Sequence, residues 1–284
     1  MIDRYFRKIK IEIKKFVNLI IRMLTSLCYF LGLGQKDFPG ILEKVRIKNY
    51  PRKTILTSYL FKKKILISDS YWYLPTLEEI WENQIYKFTA KNETPFIIDC
   101  GANIGLSVIY WKYLYPKSKI IAFEPDPWIY ELLEENVDTF DLDNVNLRQY
   151  AVWSSYTKLN FQPDDSVGGK LVIEINKSSL IEGNTFRLRD LLNQFVDMLK
   201  IDIEGAETEV LMDCKDKLNF VENLFVEYHG HTNEPQELHK ILELLQNVGF
   251  RYHIKEANPV KHPFIKSELG KLYDLQLNIY AFRN

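Results

Sequence analysis

The sequence predicts an α/β protein with a doubly wound, mostly parallel sheet, and three segments carry that expectation. Residues 96–105 (FIIDCGANIG) run apolar into Asp99, turn through two glycines and lead into an apolar stretch, 106–114, which reads as strand, tight turn and helix. Residues 119–126 (KIIAFEPD) form a second apolar strand ending in Glu124, and 126–136 returns as a helix. Residues 196–207 (VDMLKIDIEGAE) give a strand with acids at its C-terminal end, followed by another helix.

The first turn constrains the ligand. Glycine serves where the chain turns sharply and a ligand approaches the backbone, and the following helix aims free N–H groups at the loop. Asp99 is wrong for a phosphate cradle, because a carboxylate there repels a pyrophosphate; it suits a cationic ligand such as S-adenosylmethionine (SAM), with its sulfonium and ammonium groups. Glu124, 25 residues after Asp99, ends the second strand of the βαβ unit, where an acid accepts hydrogen bonds from ribose hydroxyls.

Ile98–Gly105, Phe123-Glu124-Pro125, Ala151-Val152 and 199–207 (LKIDIEGAE) together make the chain resemble the FkbM family of SAM-dependent methyltransferases over roughly residues 94–249. The resemblance implies a seven-stranded Rossmann-like sheet of class I methyltransferase type, with an antiparallel last strand. It also implies methylation of a hydroxyl on a sugar, glycoconjugate or polyketide-type natural product. The cofactor contacts it implies fall on Asp99, Gly101, Ala102, Asn103, Gly105, Glu124, Pro125, Ala151 and Asp202, with Ala151-Val152 near the adenine. The chain departs from common methyltransferase patterns in places. Asn103 stands where a central glycine is frequent, and Ser154-Ser155-Tyr156 lacks the acid often found near the adenine. No Asn/Asp-Pro-Pro-aromatic motif follows the acidic strand, which argues against methylation of amino groups on nucleic-acid bases.

An alcohol is a poor nucleophile while protonated and needs a base or a metal ion. His229, beside Glu227 at the end of the buried strand 223–227, is the expected base on intrinsic pKa grounds; His231 reads as loop surface. Asp202, Glu204 and His229 are the expected catalytic residues. Asp202, Glu204 and Glu227 also form a carboxylate set suited to a divalent cation such as Mg²⁺. Against the metal stands an arrangement in which Asp202 meets the methionine end of SAM while Glu204 and Glu207 serve the loop and helix start; Glu207 reads as structural.

Residues 1–36 hold eight Lys/Arg and two Asp/Glu, net +6, and the remainder carries 29 against 36, net −7. A mildly acidic body argues against a nucleic-acid partner and leaves a small-molecule or glycan acceptor. The three cysteines have no metal or redox spacing, which suits a reducing, cytoplasmic compartment. The basic amphipathic segment 1–34 is too short in its uncharged part to span a bilayer and lacks a cleavage site. It reads either as a peripheral contact with the inner membrane face or as a helix packed on the body. The chain is therefore read as a basic helix (1–36), a hairpin-and-helix cap (37–93) and a SAM-dependent methyltransferase domain (94–284).

Within the cap, residues 54–69 predict a hairpin and 74–88 a helix, and the aromatics between Tyr71 and Tyr86 serve packing, with one or two left over for an acceptor. Further on, 145–153 predicts a strand and 156–176 an inserted hairpin turning at Gly168-Gly169. Residues 186–195 predict a short helix, 206–218 and 235–248 longer ones, and 251–256 and 275–282 closing strands. A nicotinamide-dependent oxidoreductase is the rival enzyme reading, and it lacks its Gly-x-Gly-x-x-Gly turn. A non-catalytic SAM-fold module at a membrane surface is the rival outside enzymology.

Overall fold

The computed structural model describes residues 37–162, 170–171, 181–265 and 272–283, together with Phe16, Ile20, Met23 and Leu24, which are helical and exposed. The rest of the expected N-terminal helix and the Gly168-Gly169 turn lie outside the described residues. The chain divides into two compact units at Glu79.

In the first unit, α1 (Ile41–Lys48) is followed by a hairpin of β1 (Leu56–Leu60) and β2 (Lys63–Ile67), with Leu60 paired to Lys63. Phe61 and Lys62 form the two-residue turn, both at positive φ (49° and 65°), the backbone that a tight hairpin of right-handed twist requires. The side chain of Glu43 is buried and accepts from the Ser58 hydroxyl (2.8 Å) and Arg46 Nε (2.7 Å), tying α1 to the hairpin. The helix expected over 74–88 is shorter: α2 (Tyr73–Leu77) passes into a π-type turn, Glu78–Glu82, and Gln84 at φ 53° ends the coil.

The second unit is built on a seven-stranded sheet. Its strands are β3 (Phe96–Cys100), β4 (Lys119–Phe123), β5 (Val145–Arg148), β10 (Val196–Ile201), β11 (Val221–His231), β12 (Arg251–Glu256) and β13 (Tyr273–Phe282). Their spatial order is β12-β13-β11-β10-β3-β4-β5. All neighbours from β5 to β11 run parallel, and β13 is antiparallel to both its neighbours. All six residues of β10 are buried, as a central strand covered on both faces requires. The helices α3 (Leu106–Leu114), α4 (Pro127–Thr139), α5 (Glu207–Asp213) and α6 (Leu238–Asn247) separate the strands.

Asp126 caps α4, its Oδ1 accepting from the N–H of Trp128 (2.9 Å) and Ile129 (3.3 Å), with Pro127 at the first helical position. Asn136 Nδ2 donates to Ile104 O (2.9 Å), so α4 holds the turn that follows β3.

The strand expected over 145–153 breaks in two. Its second half, β6 (Ala151–Trp153), leaves for a smaller sheet of order β6-β9-β7-β8, with β7 (Lys158–Gln162), β8 (Lys170–Leu171) and β9 (Ile181–Arg187). Buried Thr185 explains the departure: its hydroxyl accepts from Thr157 N (2.6 Å) and lies 2.7 Å from Ser155 O, drawing the chain after β6 onto β9. The helix expected over 186–195 is therefore the end of β9 and a single 3₁₀ turn, Leu188–Leu191.

Strand order reverses between β3 and β10, the topological switch point at which open α/β sheets bind ligands. There Asp202 N donates to Cys100 O (3.1 Å), and the backbones come so close that a Cβ on Gly101 would lie 1.9 Å from Asp202 O. Gly101 also sits at φ +91°. Gly105 has the same φ, but its Cβ would meet only the Leu133 side-chain tip, at 2.7 Å. Gly101→Ala is therefore expected to cost more than ~3 kcal/mol, or to prevent folding, and Gly105→Ala about 1–3 kcal/mol. Thermal melts of the two variants check the ordering, and equal Tm values would contradict it.

Candidate functional site at the strand ends

The turn after β3 holds three residues at positive φ: Gly101 (91°), Asn103 (49°) and Gly105 (91°). It is fastened from the β4 side by Gly101 N and Ala102 N, which donate to Phe123 O (3.1 and 2.8 Å), and by Asn103 N, which donates to Glu124 Oε2 (3.0 Å). Glu124 Oε1 accepts from Asp126 N (3.0 Å). Glu124 is 7% exposed, and burial pushes its carboxyl up to about 8, with Asp126 adding to the effect against the two N–H bonds.

Asp99 lies wholly inside. Its Oδ2 accepts from the Ser107 hydroxyl (2.5 Å) and its Oδ1 is 3.2 Å from the ammonium of Lys200. Lys200 Nζ also donates to Gly101 O (2.7 Å) and lies 3.3 Å from Asp202 Oδ2. Burial alone would lower the pKa of Lys200, but Asp99 and Asp202 outweigh it and hold the ammonium well above the usual lysine range. Asp202 has a side chain 22% exposed, so of the two acids it is the one that faces outward. Pro125 is half-buried and Ala151 is buried in β6, outside the large sheet.

The second cluster lies at the ends of β10 and β11. The strand expected over 223–227 runs on through His231, so Glu227 and His229 alternate onto one face of β11. His229 is buried, and its Nδ1 is 3.0 Å from Glu207 Oε1. Glu207 also accepts from Ile203 N (3.2 Å) and Gly205 N (3.0 Å), so one carboxylate shapes the loop after β10 and aims the imidazole. Nε2 then faces Glu204 Oε2 at 3.5 Å and Glu227 Oε1 at 3.7 Å. Burial alone would lower the imidazole's pKa, but Glu204 and Glu207 raise it well above the ordinary value. Glu204 stands at φ 57° and accepts from the Tyr273 hydroxyl (2.7 Å). Burial, with Asp202 and Glu207, lifts Glu204 to about 7 against the pull of His229 and Tyr273.

Of the carboxylates expected to hold a cation, Asp202 and Glu227 gather with His229, their ligand atoms within 4.8 Å of one another, while Glu204 turns to Tyr273. His231 is buried rather than on a loop surface: the Tyr273 ring lies 4.8 Å from both imidazoles, and the His231 ring covers Gly205. The sequence reading missed Tyr273, which carries no local motif and arrives through the antiparallel pairing of β13. It also gave Glu207 no functional partner, although its position two residues beyond Gly205 hinted at a turn-closing carboxylate.

A seven-stranded sheet with a glycine turn and acids at its switch point, and an oriented imidazole beside them, defines a doubly wound α/β protein with its ligand site at the strand ends. Residues 99–252, more than half of the chain, match the family described as Methyltransferase FkbM domain, and the chain belongs to that SAM-dependent family. It is 30% identical to Methyltransferase sdnD of Sordaria araneosa over 251 residues, 75% of this chain and 89% of that protein. It is 25% identical to 2-O-methyltransferase NoeI of Sinorhizobium fredii (54% and 71% covered) and 27% identical to Hexuronic acid methyltransferase AglP of Haloferax volcanii (59% and 73% covered).

Glu124 gives the fold a pH dependence. Its carboxyl keeps a proton to about pH 8 in the folded chain, against 4.5 as the ordinary value. Between those pH values the unfolded chain has lost a proton that the folded one retains, so this group's contribution to stability falls as pH rises. Glu124→Gln is expected to flatten the decline, which amounts to on the order of a few kcal/mol. Melting both proteins from pH 5 to 8.5 tests this: parallel Tm curves would refute it.

Proposed function

We propose that the chain is a SAM-dependent O-methyltransferase acting on a hydroxyl of a sugar, glycoconjugate or related natural product. The observation that carries this reading is His229, held by Glu207 so that Nε2 faces the strand-end carboxylates Glu204 and Glu227. The names of NoeI and AglP, a 2-O-methyltransferase and a hexuronic acid methyltransferase, support the acceptor class.

The donor set fits SAM. Glu124, at the end of β4, has the place of a ribose-diol acceptor. Asp202, the outward acid at the switch point, suits the ammonium, with Asp99 and Lys200 behind it. Gly101, Ala102, Asn103 and Gly105 offer close backbone, and Pro125 and Ala151 would flank the adenine. When bound, SAM supplies an already activated methyl group, so the chain's own work is to hold the acceptor in line and take its proton.

In this reading His229 Nε2 takes the hydroxyl proton while Glu207 fixes the ring and stabilises the imidazolium. The carboxylates around it favour the protonated ring, so turnover should climb on the alkaline side of neutrality. A second form of the same activation is favoured by the gathering of Asp202, Glu227 and His229. A divalent cation such as Mg²⁺ or Mn²⁺ on those three side chains would displace the imidazole proton and acidify the alcohol.

His229→Ala is expected to lower turnover by about 10²–10⁴ and Glu207→Gln by about 10–100. S-adenosylhomocysteine affinity, measured by calorimetry, should change far less than turnover. Full turnover in His229→Ala on a panel of uronic acid and other sugar acceptors would remove the assignment. Chelator treatment separates the two forms of activation: loss of turnover restored by Mn²⁺ or Mg²⁺ supports the cation, and undiminished turnover supports the free imidazole.

The exposed Phe16, Ile20, Met23 and Leu24 recur at helical spacing among basic residues, which supports peripheral contact with an anionic membrane on the cytoplasmic side. No helix among the described residues is long and apolar enough to cross a membrane. Co-sedimentation with phosphatidylserine vesicles, but not with neutral phosphatidylcholine ones, is the expected outcome; equal recovery from both would refute it.

A further inference from the structure

Lys200 takes no part in the proton and methyl chemistry, yet it occupies the centre of the switch point. Its side chain is 2% exposed on β10, in register with Asp99 on β3. Its ammonium donates to Gly101 O at 2.7 Å and makes ion pairs with Asp99 Oδ1 at 3.2 Å and Asp202 Oδ2 at 3.3 Å. The ring of buried Tyr86 lies 5.7 Å from the same nitrogen.

A lysine used only to balance Asp99 would need one of these contacts. The contact with Gly101 O goes further, because it grips the backbone of a turn that holds three positive-φ residues in five. From the β4 side that turn is held by Phe123 O and Glu124; from the β10 side Lys200 grips its carbonyl. The contact with Asp202 holds one carboxylate oxygen of the acid that faces outward. Between two aspartates one ammonium leaves a single net negative charge, and exposure assigns it to Asp202.

We propose that Lys200 is a positioning residue for the cofactor: it fixes the Gly101 carbonyl and the Asp202 carboxylate in one geometry, so that the turn and the strand end present a single preformed, singly negative surface to a cationic nucleoside. The proposal rests on the reading of this site as SAM-binding.

Lys200→Met keeps the aliphatic stem but leaves Asp99 as an unpaired buried charge, so it loses stability for a trivial reason. Asp99→Asn in addition removes that charge. The test compares Asp99→Asn with Asp99→Asn/Lys200→Met by thermal melting and by calorimetric titration with S-adenosylhomocysteine. Alongside these, amide hydrogen exchange is followed at residues 101–105 in the ligand-free wild type and Lys200→Met proteins. The expected result is that the double variant melts within a few degrees of Asp99→Asn, binds S-adenosylhomocysteine at least tenfold more weakly, and that Lys200→Met exchanges at 101–105 at least tenfold faster than wild type relative to α6. Equal affinity in the two Asp99 variants would overturn the proposal and reduce Lys200 to a counter-ion. Should Asp99→Asn itself fail to bind, exchange decides: unchanged protection at 101–105 in Lys200→Met overturns the proposal. A wild-type protein that binds no S-adenosylhomocysteine while Lys200→Met loosens the turn would instead remove the cofactor reading and leave the grip of Lys200 on the turn standing.

Discussion

The close crossing of backbone between the turn after β3 and the end of β10 governs the rest of the site. A side chain as small as a methyl group has no room between Gly101 and Asp202 O, and Asp202 N donates to Cys100 O across the same crossing (3.1 Å). That contact places Asp99 and Asp202 around a single ammonium, and it sets where the loop carrying Glu204 begins.

Charge is concentrated here to a degree that hydrophobic packing alone does not tolerate. Burying a carboxylate costs several kcal/mol unless it finds partners. The structure meets that cost by sharing: Glu207 serves two backbone N–H groups and an imidazole, Lys200 serves three oxygens, and Glu204 has the Tyr273 hydroxyl. Both loops at the switch point also hold a non-glycine residue in the left-handed region, Asn103 and Glu204. Strain of this kind persists only where surrounding bonds over-determine it. Bonds of that kind hold both loops, from Asn103 N to Glu124 and from Ile203 N and Gly205 N to Glu207, which suits a reaction whose barrier depends on alignment.

The central strands, the glycine turn and the acids at the strand ends were legible in the sequence because each is a local signal: a buried run, a turn residue, an acid at a fixed offset. The break between β5 and β6 was not legible, because it depends on Thr185 reaching back to Ser155 and Thr157 across nearly thirty residues. Tyr273 was invisible for the same reason, since its place beside Glu204 follows from the register of β13 against β11. His229 was legible as a histidine near a strand end, and it lies in β11, but its partner was not: Glu207 lies on the helix after the neighbouring strand, and only the parallel pairing of β10 with β11 brings the two together.

The position of β13 bears on how such a chain leaves the ribosome. It comes after β12 in sequence but lies between β11 and β12 in space. Until residues 273–282 emerge, β11 presents an unpaired edge eleven residues long and β12 has no neighbour at all. A nascent chain in that interval displays backbone donors and acceptors open to strand addition, the hazard that edge strands create. Completion of the sheet is also the moment at which Tyr273 reaches Glu204, so the step that removes the sticky edge is the same step that completes the cluster around Glu204.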